Sequence, residues 1–271
     1  MWIDSHCHLD AAEFNGEQAL LVQQAQQAEV AHIILPAVER ANFATVANLA
    51  QQFSCCSYTL GIHPIFVPQA DDDDLDYLRQ QVQSALQDPG FVGIGEIGLD
   101  FFIPMLCTPD MRAKQERFFA EQLKIAREFD LPVLMHVRRS QDIILKYLRR
   151  LPVPSGIAHA FNGSVQQAQQ FIAANCKLGL GGAMTFTRAL QIRRLAQEFP
   201  LSALVLETDA PDISPAWLHP QRNEPAQVAR IGVVLAELRG IDVASVAQAT
   251  SENVAQALPR LNLQRGLRTS A

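Results

Sequence analysis

Two histidines one residue apart, His6 and His8, close the apolar stretch that opens the chain, in Trp2-Ile3-Asp4-Ser5-His6-Cys7-His8-Leu9-Asp10. In a β-strand, residues i and i+2 project to the same face. The two imidazoles would therefore point together and supply half of a divalent-metal site. Cys7 would face the other way, as a packing residue. Taken alone, the pair also fits a polar strand end near the surface, so its meaning depends on what the fold brings to it.

The elements that could position such a site recur along the chain. Apolar runs rich in β-formers end in polar or Gly/Pro-marked residues at 2–10, 31–38, 56–64, 91–100, 131–138, 155–163, 176–184 and 201–211. Between them, helical apolar spacing marks 17–29, 40–52, 74–87, 109–129, 140–149, 164–174 and 188–198, with 224–238 after the last strand. Eight buried strands alternating with amphipathic helices predict an α/β protein, a single-domain (β/α)8 TIM barrel spanning residues 1–271. A doubly wound open sheet lacks support because no Gly-rich phosphate loop follows the first strand.

In such a barrel, chemistry belongs to the C-terminal ends of the strands and the loops that follow them. Polar residues stand there on six strands: His6 and His8 on the first, His63 on the third, Glu96 on the fourth, His136 on the fifth, His159 on the sixth, and Glu207 and Asp209 on the eighth. Four imidazoles and two carboxylates at one mouth can ligate two divalent ions, whereas a single ion needs three or four protein ligands. Glu96, between glycines in Gly95-Glu96-Ile97-Gly98, is the natural bridge between two cations; a glutamate paired with a barrel arginine is the alternative. His32 opens the second strand and is expected on the opposite, structural face. His219, in the loop after the eighth strand, is expected to be exposed.

Composition narrows the class. The chain is 48% hydrophobic and 18% charged, without an apolar run long enough for a transmembrane helix. The N-terminus enters a strand directly, with no basic leader or small-residue cleavage pattern, which argues against secretion. Cys7, Cys55, Cys56, Cys107 and Cys176 form no CxxC pair, so reduced thiols in a cytoplasmic protein are expected. A formal charge of −6 speaks against extended, charge-driven binding to nucleic acid, though not against a local basic rim. The acidic run Asp71–Asp74 precedes a helical pattern and reads as a helix N-terminus favoured by the helix dipole. Nothing in the sequence calls for an obligate protein partner or fixes the oligomeric state.

The residues also carry a family resemblance. DSHCHLD at the start, GIHP at 61–64, GEIGLD at 95–100, LPVLMH at 131–136, HAFNG at 159–163, ETDAP at 207–211 and RNEP at 222–225 together resemble the TatD family of metal-dependent hydrolases, in that family's order. Within the family the chain looks closest to the YjjV-type bacterial paralogues. The resemblance implies a two-metal barrel with deoxyribonuclease-like phosphodiester hydrolysis. It implies as ligands His6, His8, Glu96, His136, His159 and Asp209, with His63 as a phosphate or substrate contact. Two departures touch no ligand: Ala160 and Asn162 replace the cysteine and the serine or threonine common in HAFNG, and Phe101-Phe102 stands where tyrosines are frequent.

A mechanism follows. Two cations would lower the pKa of a bound water, hold the phosphate and stabilise the leaving oxygen. Asp209 would bind one ion and accept the proton of the nucleophilic water. Glu207, two residues back, would accept from the free ring nitrogen of a ligand histidine. Among Arg138, Arg139, Arg188 and Arg222, all after strand ends, Arg222 is the preferred phosphate contact.

Three functions remain open at this level. The first is exonucleolytic hydrolysis at DNA or RNA ends with zinc, magnesium or manganese. The second is amidohydrolase or lactonase chemistry on a small carbonyl substrate, where relatives often bridge their ions with a carbamylated fourth-strand lysine rather than a glutamate. The third, a non-catalytic metal scaffold, fits least well with a complete ligand set and a candidate base.

Overall fold

The computed structural model describes residues 1–263. Eight strands form one all-parallel sheet in sequence order: β1 (Trp2–Asp4), β2 (Val30–Pro36), β3 (Cys56–Leu60), β4 (Phe91–Asp100), β5 (Val133–Arg138), β6 (Gly156–His159), β7 (Cys176–Leu180) and β8 (Leu204–Leu206). The connecting helices are α1 (Gln18–Gln27), α2 (Phe43–Gln52), α3 (Asp72–Ala85), α4 (Pro109–Glu128), α5 (Gln141–Arg150), α6 (Val165–Ala173), α7 (Leu190–Glu198) and α8 (Gln227–Arg239). The (β/α)8 TIM barrel expected from the sequence is the fold observed.

Polar ties close the barrel between β1 and β8. Ser5 N donates to Leu206 O at 3.0 Å, Asp209 N to His6 O at 2.8 Å, and His8 N to Ala210 O at 2.8 Å. The fully buried Asp4 carboxylate accepts from Thr208 N at 2.9 Å and from its hydroxyl at 2.6 Å. Burial pushes this carboxyl up to about 8, against the lowering effect of those hydrogen bonds. The sequence gives no sign of this role for Asp4, because the partner lies 204 residues away.

Two boundaries differ from expectation. β1 ends at Asp4 and β8 at Leu206, so His6, His8 and Asp209 lie just beyond regular strands rather than on them. The extended backbone there is still pinned, by a bridge between Cys7 and Ala210. Cys7 is completely buried with its thiol 3.8 Å from Ala210 O, the packing role expected of it.

A further helix, α9 (Val243–Ala257), lies beyond the last helix read from the sequence. Its large apolar residues are few, but Val246, Thr250, Val254 and Ala257 recur at helical spacing and are buried, and Asp242 caps its first turn by accepting from Ser245 N. Val254, Ala257 and the following Leu258 pack against Ile3, Ile34, Val92, Leu134, Ile157 and Val205 inside the barrel. Arg260 reinforces this plug by donating to the carbonyls of Phe91 and Leu86, at the N-terminal end of the strands. A fully buried leucine such as Leu258 contributes about 1.5–3 kcal/mol to such a floor.

On this lower side His32, buried near the start of β2, has Nε2 2.8 Å from the Ser57 hydroxyl. Asp71 caps α3 in a reciprocal capping box with Asp74, while Asp72 pairs with Arg117 and Asp74 with Arg40. His32 and the Asp71–Asp74 run thus have the structural roles expected. Among the described residues no helix is long and apolar enough to cross a membrane.

Candidate metal centre

The opposite end of the barrel gathers six of the expected residues around Glu96. This side chain is buried in β4, and the strand must press close to β5 to bring His136 to it. At Gly98, with φ of 145°, a side chain would place Cβ 2.1 Å from His136 O, so only glycine permits that approach. The two carboxylate oxygens of Glu96 then face different histidines. Oε2 lies 3.2 Å from His6 Nε2 and 3.6 Å from His8 Nε2. Oε1 lies 3.1 Å from His136 Nδ1, 3.4 Å from His63 Nε2 and 4.0 Å from His159 Nε2.

Asp209 also approaches the His6/His8 pair. Its Oδ1 is 3.6 Å from both His6 Nε2 and His8 Nε2, and 3.7 Å from His159 Nε2. The His6 and His8 Nε2 atoms are themselves 3.2 Å apart. Imidazole lone pairs and carboxylate oxygens thus converge at distances where they repel unless positive charge lies among them. Three groups, His6–His8–Asp209, His6–Glu96–His159 and His63–Glu96–His136, have ligand atoms close enough to share an ion. The nitrogen and carboxylate donor set fits a divalent transition metal such as zinc or manganese.

The hydrogen bond at the far ring nitrogen sets what each histidine can do. His159 Nδ1 is 3.1 Å from Glu207 Oε1, which also accepts from Ala160 N at 2.6 Å, leaving Nε2 to face the cluster. Glu207 therefore stands where the sequence reading put it. Its carboxylate fills the space that a side chain at residue 179 would occupy; a Cβ on Gly179 would lie 2.2 Å from Glu207 Oε2.

His136 has a partner the sequence reading missed. Its Nε2 is 3.1 Å from Asp100 Oδ2, while its Nδ1 faces Glu96. Asp100 lies four residues after Glu96 on the same strand face, in the same GEIGLD motif, and that even spacing was the available signal. Burial raises the Asp100 carboxyl, but His136 and the N–H groups of Phe102 and Ile103 outweigh it and hold the group at about 2.

His63 behaves differently. Its Nδ1 accepts from Ile65 N at 3.1 Å, so in the neutral ring Nε2 carries the proton. That proton points at Glu96 and makes His63 a donor to an anion rather than a cation ligand.

Arg222 is not brought to the centre. It makes a two-pronged pair with Glu17, NH2 to Oε2 at 2.6 Å and NH1 to Oε1 at 3.1 Å, and donates to Glu13 O. Those contacts occupy the guanidinium expected to hold phosphate; sequence could not show them because Glu17 is 205 residues away. His219 is exposed, edge-on to Phe186, as anticipated. Arg138 and Arg139 do line the cleft above the centre, a cavity of about 1320 Å³ that also includes Phe102, Ala160 and Asn162.

Proton affinities reflect the crowding. Burial pushes Asp209 up to about 6 despite its histidines. Burial alone would lower His159, but the Asp209 and Glu207 carboxylates outweigh it and hold the imidazolium to about 10. A proton on His159 thus does for these carboxylates what a cation would do.

A pH dependence follows. Groups with a raised folded pKa stabilise the protein fully below their unfolded pKa, and that contribution fades as pH climbs through the folded value. His159, at about 10, loses its contribution between pH 6.5 and 10, and Asp4, at about 8, has lost its own once the pH passes 8. Burial lowers His6 and His63, which titrate below that window, where their effect has the opposite sign. Metal-depleted protein should therefore lose thermal stability as pH rises from about 6.5 to 10. The metal-loaded form should lose less, because cation replaces the proton near His159. Calorimetry on both forms tests this; parallel curves would contradict it.

Fold and centre together define a barrel hydrolase of the metal-dependent kind. The model of the TatD related DNase family matches residues 3–259, and the chain belongs to that family. It is 40% identical over 253 residues to the metal-dependent hydrolase YjjV of Escherichia coli, covering 93% of this chain and 95% of that one. The crystal structure of E. coli YjjV superposes with a TM-score of 0.89 at 38% identity, covering 95% and 98% of the two chains. The 3'-5' ssDNA/RNA exonuclease TatD of Citrobacter koseri is 32% identical over 258 residues, 93% of this chain and 96% of that one. The protein is a metal-dependent hydrolase, and the YjjV-like kinship expected from its motifs is present.

Proposed function

We propose that this chain hydrolyses phosphodiester bonds at the ends of nucleic-acid strands, with divalent cations that the residues around Glu96 would hold. The observation that carries this reading is the division of the Glu96 oxygens, Oε2 toward His6 and His8 and Oε1 toward His136 and His159. Zinc, manganese or magnesium bound there would supply the positive charge that orients the phosphate and makes water easier to deprotonate. His6, His8 and Asp209 would hold one ion, and His136 and His159 the other.

The chain's own groups then divide the work. Asp209, raised by burial toward neutrality, accepts a proton from the attacking water as the new P–O bond forms. The same proton passes to the leaving oxygen as its bond to phosphorus breaks, so hydroxyl and phosphate ends result. The His63 Nε2–H donates to a phosphate oxygen, and Arg138 and Arg139 at the rim neutralise the strand. Arg222 acts on the loops, tying the segment after β8 to Glu17 at the start of α1.

Three further facts support the reading. The C. koseri relative is named as an exonuclease of single strands. The cavity exceeds the roughly 300–1,000 Å³ typical of small-ligand pockets, leaving room for more than one nucleotide. Net charge of −6 favours a local grip on an end over binding along a duplex. The five cysteines are free thiols, in keeping with a cytoplasmic site of action.

The test is a side-by-side assay of metal-reconstituted protein on end-labelled single strands, duplexes, methyl 4-nitrophenyl phosphate and a lactone panel. Stepwise loss of nucleotides from one end is expected. Lactone hydrolysis with no phosphodiester cleavage would replace this function with carbonyl chemistry.

A further inference from the structure

The cleft rim carries an aromatic side chain that the hydrolytic step does not use. Phe102 is 44% exposed, and two guanidinium groups lie against its ring: Arg138 Cζ is 4.0 Å from the ring centroid and Arg139 Cζ 4.6 Å. All three residues line the cavity over the metal centre. Arg139 forms no ion pair with a carboxylate among the described residues, and its backbone is in the left-handed region at φ of 55°. For a non-glycine residue that conformation is uncommon.

One carboxylate connects this group to the chemistry. Asp100 Oδ1 accepts from Phe102 N at 2.8 Å, and its Oδ2 lies 3.1 Å from His136 Nε2 and 3.6 Å from Arg138 NH1. The ring and at least one guanidinium are therefore registered against a residue of the metal centre instead of floating on a loop.

The chemistry of the group selects its ligand. Guanidinium planes lying near an aromatic ring offer flat π and cationic surfaces on which a nucleobase stacks, while their edge N–H groups point at anions. We propose that Phe102, Arg138 and Arg139 form a stacking platform for the nucleobase of the nucleotide beside the scissile phosphate. This rests on the nuclease reading and adds a base-binding subsite to it. The platform needs a base free of its own stack and pair, so it favours a single-stranded end over a blunt duplex.

The test separates the platform from the nuclease reading. In Phe102→Ala, KM for a short single-stranded oligonucleotide should rise about tenfold or more, with kcat changed less than about twofold. An oligonucleotide abasic at its two terminal positions should show no such change, and Phe102→Trp should restore the wild-type KM. Arg139→Ala should weaken both substrates in a salt-sensitive way. A second readout does not depend on turnover: terminal 2-aminopurine should be quenched on binding to Asp209→Asn protein, and the quench should vanish when Phe102→Ala is added.

Unchanged KM and unchanged quench in Phe102→Ala, or an equal loss on the abasic strand, would overturn the platform while leaving the nuclease reading intact. Cleavage of methyl 4-nitrophenyl phosphate but of no oligonucleotide would overturn the strand reading, and the platform with it.

Discussion

Asp209→Asn is expected to lower turnover by about 10²–10⁴-fold, the range associated with loss of a general base, while bound metal is at least partly kept. The substitution is unusually clean here. Asp209 has φ of 58°, in the left-handed region that asparagine tolerates better than most residues, so the backbone should not move. The Asp209 N–H to His6 O bond that helps close the barrel is also retained, because it involves no side-chain atom. An amide oxygen can still face His6, His8 and His159 but cannot take a proton. Single-turnover kinetics and elemental analysis on the same preparation would check both halves. A near-normal rate would mean that another group is the base. Asp209→Ala would be a poorer test, since it adds backbone strain to the loss of chemistry.

Glu96→Gln should remove metal and activity together. The carboxylate faces two separate sets of imidazoles, so its charge serves both sides of the centre, and a neutral amide cannot replace it. Losing a hydrogen-bond partner of a ligand typically costs about 10–100-fold in metal affinity or activity, and losing the shared carboxylate should cost about 100-fold or more. The fold should survive, because Gln has the same shape and is easier to bury than a charged group. Cys7→Ser is the matched control, expected to leave metal content unchanged because the thiol packs away from the imidazoles. Full metal occupancy in Glu96→Gln would assign Glu96 to the scaffold.

Much of this architecture is written locally. Eight apolar runs separated by helical spacing specify strands and helices through short-range periodicity, and parallel strands buried on both faces have few alternatives to a closed barrel. Placing His63, Glu96, His136, His159 and Asp209 at the trailing ends of those runs was therefore enough to bring them to one mouth. α9 was missed for a physical reason as well. Its buried face is built largely from alanine, threonine and asparagine, which carry little periodic hydrophobic signal, yet they fit a floor that is already crowded.

The remainder depended on contacts between residues distant in sequence. The sequence by itself determined the barrel, the cluster of ligand residues around Glu96 and the packing role of Cys7, because these follow from periodicity, strand direction and residue chemistry. Only the tertiary structure decided that Arg222 is held by Glu17, that Asp4 and Thr208 close the barrel, that Asp100 orients His136, and that Phe102 lies beneath two arginines. A charged or aromatic side chain has many partners within reach of its length, and which one it meets is fixed by how the loops pack.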